Sequence, residues 1–78
     1  MTNALLGILG ERIRARRRSL GLSQEALAHA AGLDRSYLGR IERGEDNLTF
    51  RSLVKLCRAM ECDIAALTVD LPPAPAGE

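Results

Sequence analysis

Aromatic residues are nearly absent from this 78-residue sequence, which has no tryptophan, one tyrosine and one phenylalanine. Strands are enriched in aromatic and β-branched residues, so this shortage argues against a sheet and in favour of packed helices. Leu, Ile, Ala, Met and Cys are left to build the core. A chain of this length forms one domain, and intracellular domains of this size often gain stability by dimerising.

Residues for metal binding and catalysis are also scarce, since the sequence contains one histidine and two cysteines. Cys57 and Cys62 do not form a CxxC motif. Cys57 falls on an apolar helical stripe, which indicates a buried, reduced thiol rather than a zinc ligand. His29 is expected on the solvent side of a helix, and no glycine-rich phosphate-binding motif is present. The sequence therefore predicts a protein that is not an enzyme and needs no metal or cofactor.

Long apolar runs are missing as well. The apolar stretch 4–9 is too short to span a bilayer, and basic residues follow it rather than precede it as in a signal peptide. We therefore expect a cytoplasmic protein with no membrane partner. From Leu71 the tail LPPAPAGE has adjacent prolines and little to bury. The predicted organisation is one folded domain over residues 1–70 and a disordered, proline-rich tail over 71–78.

Charge is distributed unevenly along the chain, although the formal net charge is only +1. Through Gly44 there are eight arginines and four acidic residues, a net +4, whereas from Glu45 onward three basic and six acidic residues give −3. A basic half is typical of proteins that bind a polyanion. Nearly every basic residue is arginine, whose planar guanidinium matches phosphates and guanine edges. A solvated arginine-rich helix is the alternative, and charge alone does not separate the two.

Periodicity and capping residues predict five short helices with tight turns that contain glycine. The first covers about residues 5–20 and ends at Gly21; the others are capped by Ser23, Asp34, Thr49 and Asp63. The stripe of the first helix is Leu6, Leu9, Ile13, Arg17 and Leu20, and that of the fourth is Phe50, Leu53, Leu56, Cys57 and Met60. Arg16 also lies beside the first stripe. One of its two arginines is expected to keep its head in water, and the other needs an acidic partner.

The second and third helices are joined by only Gly32, Leu33 and Asp34, which is the arrangement of a helix-turn-helix. On a helical wheel, the third helix turns Leu38, Ile41 and Glu42 towards the core. Glu42 is a natural partner for Arg16 or Arg17, and periodicity does not choose between them. The outer face has three arginines, one serine and no acid: Arg35, Ser36, Gly39, Arg40 and Arg43. Such a face suits the major groove, where arginine donates two hydrogen bonds to guanine O6 and N7. Gly39 either lets the helix approach DNA closely or is a neutral substitution.

The segment GLSQEALAHAAGLDRSYLGRIERG resembles the helix-turn-helix of the Cro/C1-type repressors, the Xre family, over about residues 8–67. In addition, LDRSYLGRIERGEDNLTFRSL is similar to the controller proteins that regulate restriction–modification operons. The resemblance implies an all-α, five-helix, lambda-repressor-like DNA-binding domain. It also implies an interior ion pair between Arg17 and Glu42.

Roles for the candidate site residues follow from the same resemblance. Ser23 and Gln24 would bind a phosphate at the start of the second helix, and Gln24 would also brace the third. Arg35 and Ser36 would reach base edges, with Arg35 the leading residue and Arg40 a further candidate. The residues expected at the DNA backbone or groove edge are Tyr37, Arg43 and Asn47. Contacts to phosphate fix the register on DNA, whereas contacts to bases specify the sequence.

These features predict a sequence-specific transcriptional regulator, a homodimer that binds an inverted-repeat operator through the third helix. The dimer surface is expected at Ala65, Thr68 and Val69, and RNA polymerase is a further partner if the protein activates. A controller-type autoregulator fits the resemblance. A phage-type or orphan repressor and an antitoxin are alternatives, and a helical protein–protein interaction module without DNA binding is a different class. Acidic Glu45 and Asp46, where controller relatives can be basic, predict lower non-specific DNA affinity.

Overall fold

A computed structural model describes residues 4–73, which form five α-helices and no strand. The helices are α1 (Ala4–Ser19), α2 (Gln24–Ala31), α3 (Arg35–Glu42), α4 (Phe50–Ala59) and α5 (Ile64–Thr68). The predicted all-α class is confirmed. Each of these helices is too short or too polar to span a lipid bilayer. Of the predicted disordered tail over 71–78, only 71–73 belong to the described residues, so the tail and the domain boundary at residue 70 stay predictions.

Capping side chains begin the last four helices at the predicted positions. Each side-chain oxygen accepts a hydrogen bond from the backbone N–H three residues further on, which satisfies a donor that the helix leaves unpaired. These caps are Ser23, Asp34, Thr49 and Asp63. Gly21 and Gly44 end α1 and α3 with φ values of 71° and 70°, in the left-handed region that favours glycine. Local signals in the sequence therefore determine where the helices begin and where α1 and α3 end.

The core lies where α3 and α4 pack against α1 and α2. Its fully buried large side chains are Ile13, Leu27, Leu38, Leu56 and Met60. α3 contacts both α1 and α2, while α5 contacts α1 and α4. One side of α3 is thus packed against two other helices, and the residues exposed on its other side are Arg35, Ser36, Arg40 and Arg43.

A close approach between α1 and α3 depends on Gly10. A Cβ atom added there would lie 2.4 Å from the carbonyl oxygen of Ile41 and 2.7 Å from that of Glu42. Both distances are far below van der Waals contact, and backbone atoms have little freedom to move away. Glycine at this position therefore sets how closely α1 packs against the end of α3.

Two residues predicted in apolar stripes are exposed instead: Leu20 is 41% exposed and Phe50 is 70% exposed. Both lie at helix ends, because Leu20 follows the last residue of α1 and Phe50 is the first residue of α4. Helical periodicity predicts burial correctly in the middle of a helix, but it also assigns residues at the helix ends to the buried stripe. The buried stripe of α4 begins at Ser52 and Leu53.

Two arginines of α1 bind the ends of other helices. Arg12 Nη1 donates to the carbonyl oxygen of Leu67 at 3.1 Å and also to that of Val69. Arg16 Nη2 donates to the carbonyl oxygen of Met60 at 3.0 Å. Carbonyls at a helix C-terminus lack partners within the helix and attract cations. The expectation that one stripe arginine keeps its head in water is therefore wrong for Arg16, and part of the basic half serves the fold.

Candidate nucleic-acid interface

The last residue of α3, Glu42, forms a buried ion pair with Arg17 of α1. Arg17 Nε donates to Glu42 Oε2 at 2.8 Å and Arg17 Nη2 donates to Glu42 Oε1 at 2.9 Å. The two side chains are only 9% and 2% exposed. Gln24 Nε2 adds a hydrogen bond to Glu42 Oε1 at 3.0 Å. The C-terminal end of α3 is therefore bonded to α1 and to the first residue of α2.

Both members of this pair are charged at neutral pH. Burial alone raises the pKa of Glu42, but hydrogen bonds from Arg17 and Gln24 outweigh it and leave that pKa below its ordinary value. The hydrogen bond to Glu42 raises the pKa of the Arg17 guanidinium. Both carboxylate oxygens of Glu42 accept hydrogen bonds, and breaking them would leave a buried charge unpaired, which is costly. The pair therefore fixes the orientation of α3 relative to α1 and α2.

The outward side of α3 and the start of α2 together form a polar concavity. It is lined by Gln24, Arg35, Ser36, Gly39, Arg40 and Arg43. Arg35, Ser36, Arg40 and Arg43 are exposed, and three of these four are cationic. The structure thus brings five of the residues predicted from the sequence to one surface, which we call the α3 face.

Gly39 was expected on the exposed side of α3, but it is buried. A Cβ atom added there would lie 3.2 Å from Arg43 Nη1 and 3.8 Å from Gln24 Oε1. Gly39 therefore makes room for the guanidinium of Arg43, which lies across the helix. A larger residue at position 39 would require the end of the Arg43 side chain to move.

Two acidic side chains reach the α3 face from the loop that follows the helix. Arg40 Nε donates to Asp46 Oδ2 at 2.9 Å, and Arg43 Nε donates to Glu45 Oε1 at 3.0 Å. The expectation of an outer face without acid is therefore incomplete. Sequence reasoning placed both acids in a loop near DNA but missed these pairings, because no helical spacing relates a loop residue to the helix before it.

The remaining predicted DNA contacts lie around the ends of α2 and α3. Ser23 is exposed and its Oγ accepts the N–H of Ala26 at 3.0 Å. The hydroxyl of Tyr37 donates to the carbonyl oxygen of Asn47 at 3.0 Å, and Asn47 is exposed. Tyr37 therefore supports the loop as well as flanking the α3 face. Its contact with DNA stays a prediction, like those of the other site residues.

One of the predicted dimer residues, Ala65, lines a groove between α4 and α5. The groove is otherwise lined by Val54, Cys57, Cys62 and Ile64 and by the charged Arg58 and Asp63. Val69 is 56% exposed, whereas Thr68 is half-buried and its hydroxyl donates to the Ile64 carbonyl at 2.9 Å.

Burial raises the pKa of the Cys57 thiol to about 11, so Cys57 is a protonated thiol at neutral pH. Residues 4–73 contain no group of three or more side chains suited to a metal ion.

A family model described as helix-turn-helix, HTH_3, matches residues 13–67. The chain belongs to this helix-turn-helix family. The matched segment runs from the middle of α1 into α5, so it includes the ion pair and the whole α3 face. The resemblance stated from the sequence is thereby confirmed.

Named relatives of this helix-turn-helix protein include controller proteins. It is 42% identical to the control protein C.SmaI of Serratia marcescens over 60 residues, which is 77% of this chain and 71% of that protein. It is 36% identical to the control protein C.BamHI of Bacillus amyloliquefaciens over 61 residues, 77% of this chain and 75% of that protein.

A solved structure of another controller protein is also similar to this chain. The fold matches the crystal structure of the restriction–modification controller protein C.AhdI from Aeromonas hydrophila with a TM-score of 0.78 at 44% identity, covering 80% of this chain and 94% of that one. These relatives are regulators rather than enzymes. This helix-turn-helix protein is accordingly a DNA-binding transcription regulator.

Proposed function

We propose that this protein is a homodimeric controller-type regulator that inserts α3 of each subunit into the major groove of an inverted-repeat operator. The observation that carries the proposal is the α3 face, where Arg35, Ser36 and Arg40 share one polar concavity with Gln24. An α-helix fits the major groove, and arginine recognises guanine there through two parallel hydrogen bonds. The opposite side of α3 is fixed by the core and the buried ion pair.

Arg35 is the leading base-contacting residue in this proposal. It is the first residue of α3 and is exposed, and recognition helices contact base edges mainly with their N-terminal residues. Ser36 follows on the same surface, and Arg40 lies further along it. Arg43, Tyr37 and Asn47 are proposed to contact the DNA backbone or the groove edge.

Ser23 and Gln24 are proposed to bind a phosphate at the N-terminus of α2. Backbone N–H groups at a helix start and the helix dipole favour an anion there. Since the Gln24 amide also bonds to Glu42, this phosphate contact is connected directly to the end of α3. Such a connection places α3 in register on the duplex.

The homodimer is proposed to form through the groove between α4 and α5. Ala65 in this groove and the exposed Val69 are apolar surface that a second copy would bury. Ala65→Glu should weaken self-association in sedimentation equilibrium, whereas Ala30→Glu, at an exposed alanine of α2, should leave it unchanged. Equal self-association of both variants would remove the groove from the dimer model.

Function through binding rather than catalysis is part of the proposal. His29 is exposed on α2. Asp34 and Asp63 cap helices and Glu42 is held in the interior ion pair. These roles in the fold account for side chains that an enzyme would otherwise use as acids or bases.

The decisive experiment is selection of bound sequences from a randomised duplex pool at two salt concentrations. We expect an inverted repeat with guanine at fixed half-site positions and half-sites about one helical turn apart. Affinity should fall steeply with salt, because each neutralised phosphate releases counterions. A folded protein that enriches no motif would contradict the proposal and favour a helical interaction module.

Autoregulation is tested with the recovered motif. A controller-type regulator should have a copy of that motif in the promoter of its own operon, and a reporter fused to this promoter should respond to the protein. Activation would in addition indicate contact with RNA polymerase. A motif found only at distant promoters would favour a different kind of repressor.

A further inference from the structure

Asp46 is the least expected neighbour of the α3 face, because it is an acid at a surface proposed to bind a polyanion. It lies in the loop between α3 and α4 and is half-buried. Both of its carboxylate oxygens are used: Oδ1 accepts the backbone N–H of Asn47 at 2.8 Å, and Oδ2 accepts Arg40 Nε at 2.9 Å. The carboxylate is therefore fixed in orientation.

The contacts around Asp46 close into a ring of four residues. Asn47 donates to Asp46, and Asp46 binds Arg40. The guanidinium carbon of Arg40 lies 5.9 Å from the centroid of the Tyr37 ring, and the Tyr37 hydroxyl donates back to the Asn47 carbonyl at 3.0 Å. An arginine over an aromatic face within about 6 Å is favourable. Arg40 is thus held by two neighbours, the Asp46 carboxylate at Nε and the Tyr37 ring near its guanidinium carbon.

The nitrogen that Asp46 binds decides what Arg40 can still do. A bidentate contact to guanine uses two parallel N–H groups of a guanidinium. Since Asp46 binds Nε, the edge formed by the two terminal nitrogens is left to donate. Arg40 also lines the α3 face beside Arg35 and Ser36. An exposed ion pair adds little to fold stability. The main effect of this ring of contacts is therefore to orient the Arg40 side chain.

We infer that Asp46 is a specificity-determining positioning residue, which presents the terminal guanidinium edge of Arg40 to a guanine in the major groove. The inference rests on the proposed function, because it requires α3 in that groove. A long side chain that is already ordered loses less conformational freedom on binding. Its fixed direction also disfavours bases that cannot accept two parallel hydrogen bonds.

A purely electrostatic role for the acid makes a different prediction. In that case Asp46 only repels phosphate, and removing its charge tightens binding to every sequence equally. The positioning role predicts two separable changes when the charge is removed. Affinity for non-specific DNA rises, and the preference for guanine at the base contacted by Arg40 falls.

The variant Asp46→Asn separates these two roles. Asparagine retains an oxygen that can accept the Asn47 N–H, but its amide N–H₂ cannot accept a hydrogen bond from Arg40. Glu45→Gln is the matched control, because it removes the same charge one residue earlier and abolishes the ion pair with Arg43 instead. Arg40→Ala identifies the base position that Arg40 contacts, and Arg40→Ala/Asp46→Asn completes a double-mutant cycle.

The readout is the base preference at every operator position, obtained from binding of a randomised duplex pool, together with the affinity for a scrambled duplex. Both single charge variants should bind the scrambled duplex more tightly than the wild type. Only Asp46→Asn should lower the guanine preference at the Arg40 position, by about threefold or more, where a bidentate contact discriminates by roughly 5- to 150-fold. In the Arg40→Ala background, Asp46→Asn should leave that preference unchanged.

Each result decides between the two levels of the proposal. A wild-type motif whose guanine preference is unchanged or sharpened in Asp46→Asn overturns the positioning role and leaves the proposed function intact. The same holds if Arg40→Ala alters no base position. A wild-type protein that enriches no motif overturns the proposed function and the positioning role with it.

Discussion

Arg17 and Glu42 are separated by 25 positions in the sequence and share two parallel hydrogen bonds in the interior, at 2.8 and 2.9 Å. Arg17 Nη1 also donates to the Leu22 carbonyl at 2.9 Å, and Gln24 donates to Glu42. The pair therefore joins α1, the turn before α2 and the end of α3. The direction of the α3 face depends on this junction.

Glu42→Ala is expected to lower the free energy of unfolding by roughly 3–5 kcal/mol, because it leaves the buried Arg17 charge without its carboxylate. Urea denaturation at one fixed protein concentration measures the loss, since the proposed dimerisation would make stability depend on concentration. Glu45→Ala is the matched control. Its ion pair with Arg43 is exposed by 57% and 48%, so it should change stability by less than about 1 kcal/mol. Equal losses of stability in the two variants would contradict the stabilising role assigned to Glu42.

Stability should decrease in acid because the pKa of Glu42 is lower in the folded protein than in the unfolded chain. A depressed carboxyl pKa contributes stability that is complete above the unfolded value of about 4.3 and is lost as the pH falls towards the folded value. Unfolding free energies measured between about pH 7 and pH 3 should therefore decline below about pH 5. Glu42→Gln should show a shallower decline, and parallel profiles would assign the acid sensitivity to other carboxylates.

Gly10→Ala is expected to destabilise the fold by about 1–3 kcal/mol or more, because the new methyl group overlaps two backbone carbonyls of α3. Gly7→Ala tests the same substitution in the same helix, where a Cβ atom meets nothing within 4 Å. That variant should gain up to about 1 kcal/mol from helix propensity. Thermal melts of both variants check the pair. If Gly10→Ala also stabilised, the close approach of α1 and α3 would be wrong.

Arg35→Ala should lose about 1–3 kcal/mol of binding free energy on the selected operator and relax the preference at one base position. The physical reason is the loss of two parallel hydrogen bonds to a base edge. Lys55→Ala removes one positive charge from an exposed position of α4 and should leave the base preference unchanged. Fluorescence anisotropy with operator and scrambled duplexes measures both. If Arg35→Ala bound each duplex with unaltered affinity, base recognition would have to be assigned to other residues of α3.

Positions of helices were predictable because their signals are local. Ser23 and Asp34 cap the helices that follow them, and Gly21 and Gly44 adopt the left-handed conformation that ends a helix. Each of these interactions spans only a few residues, so composition and spacing reveal it. The same holds for burial of Glu42, whose position on the inner side of α3 follows from helical periodicity. Periodicity failed at Leu20 and Phe50, since it carries no information on what covers a helix end.

Partner choice among charged residues was decided by the tertiary structure. From periodicity alone, Arg16 and Arg17 were equal candidates for Glu42; only the packing of α1 directs Arg17 to Glu42 and Arg16 to the Met60 carbonyl. The pairing of Arg40 with Asp46 arises in the same way, from a loop that folds back on α3. Helix caps and turns depend on residues that are neighbours in the chain, whereas an ion pair between helices forms only if packing brings two distant side chains together. By itself the sequence determined the helices, the cationic side of α3 and the family; the fold decided which arginines bind interior groups and which are exposed on the α3 face.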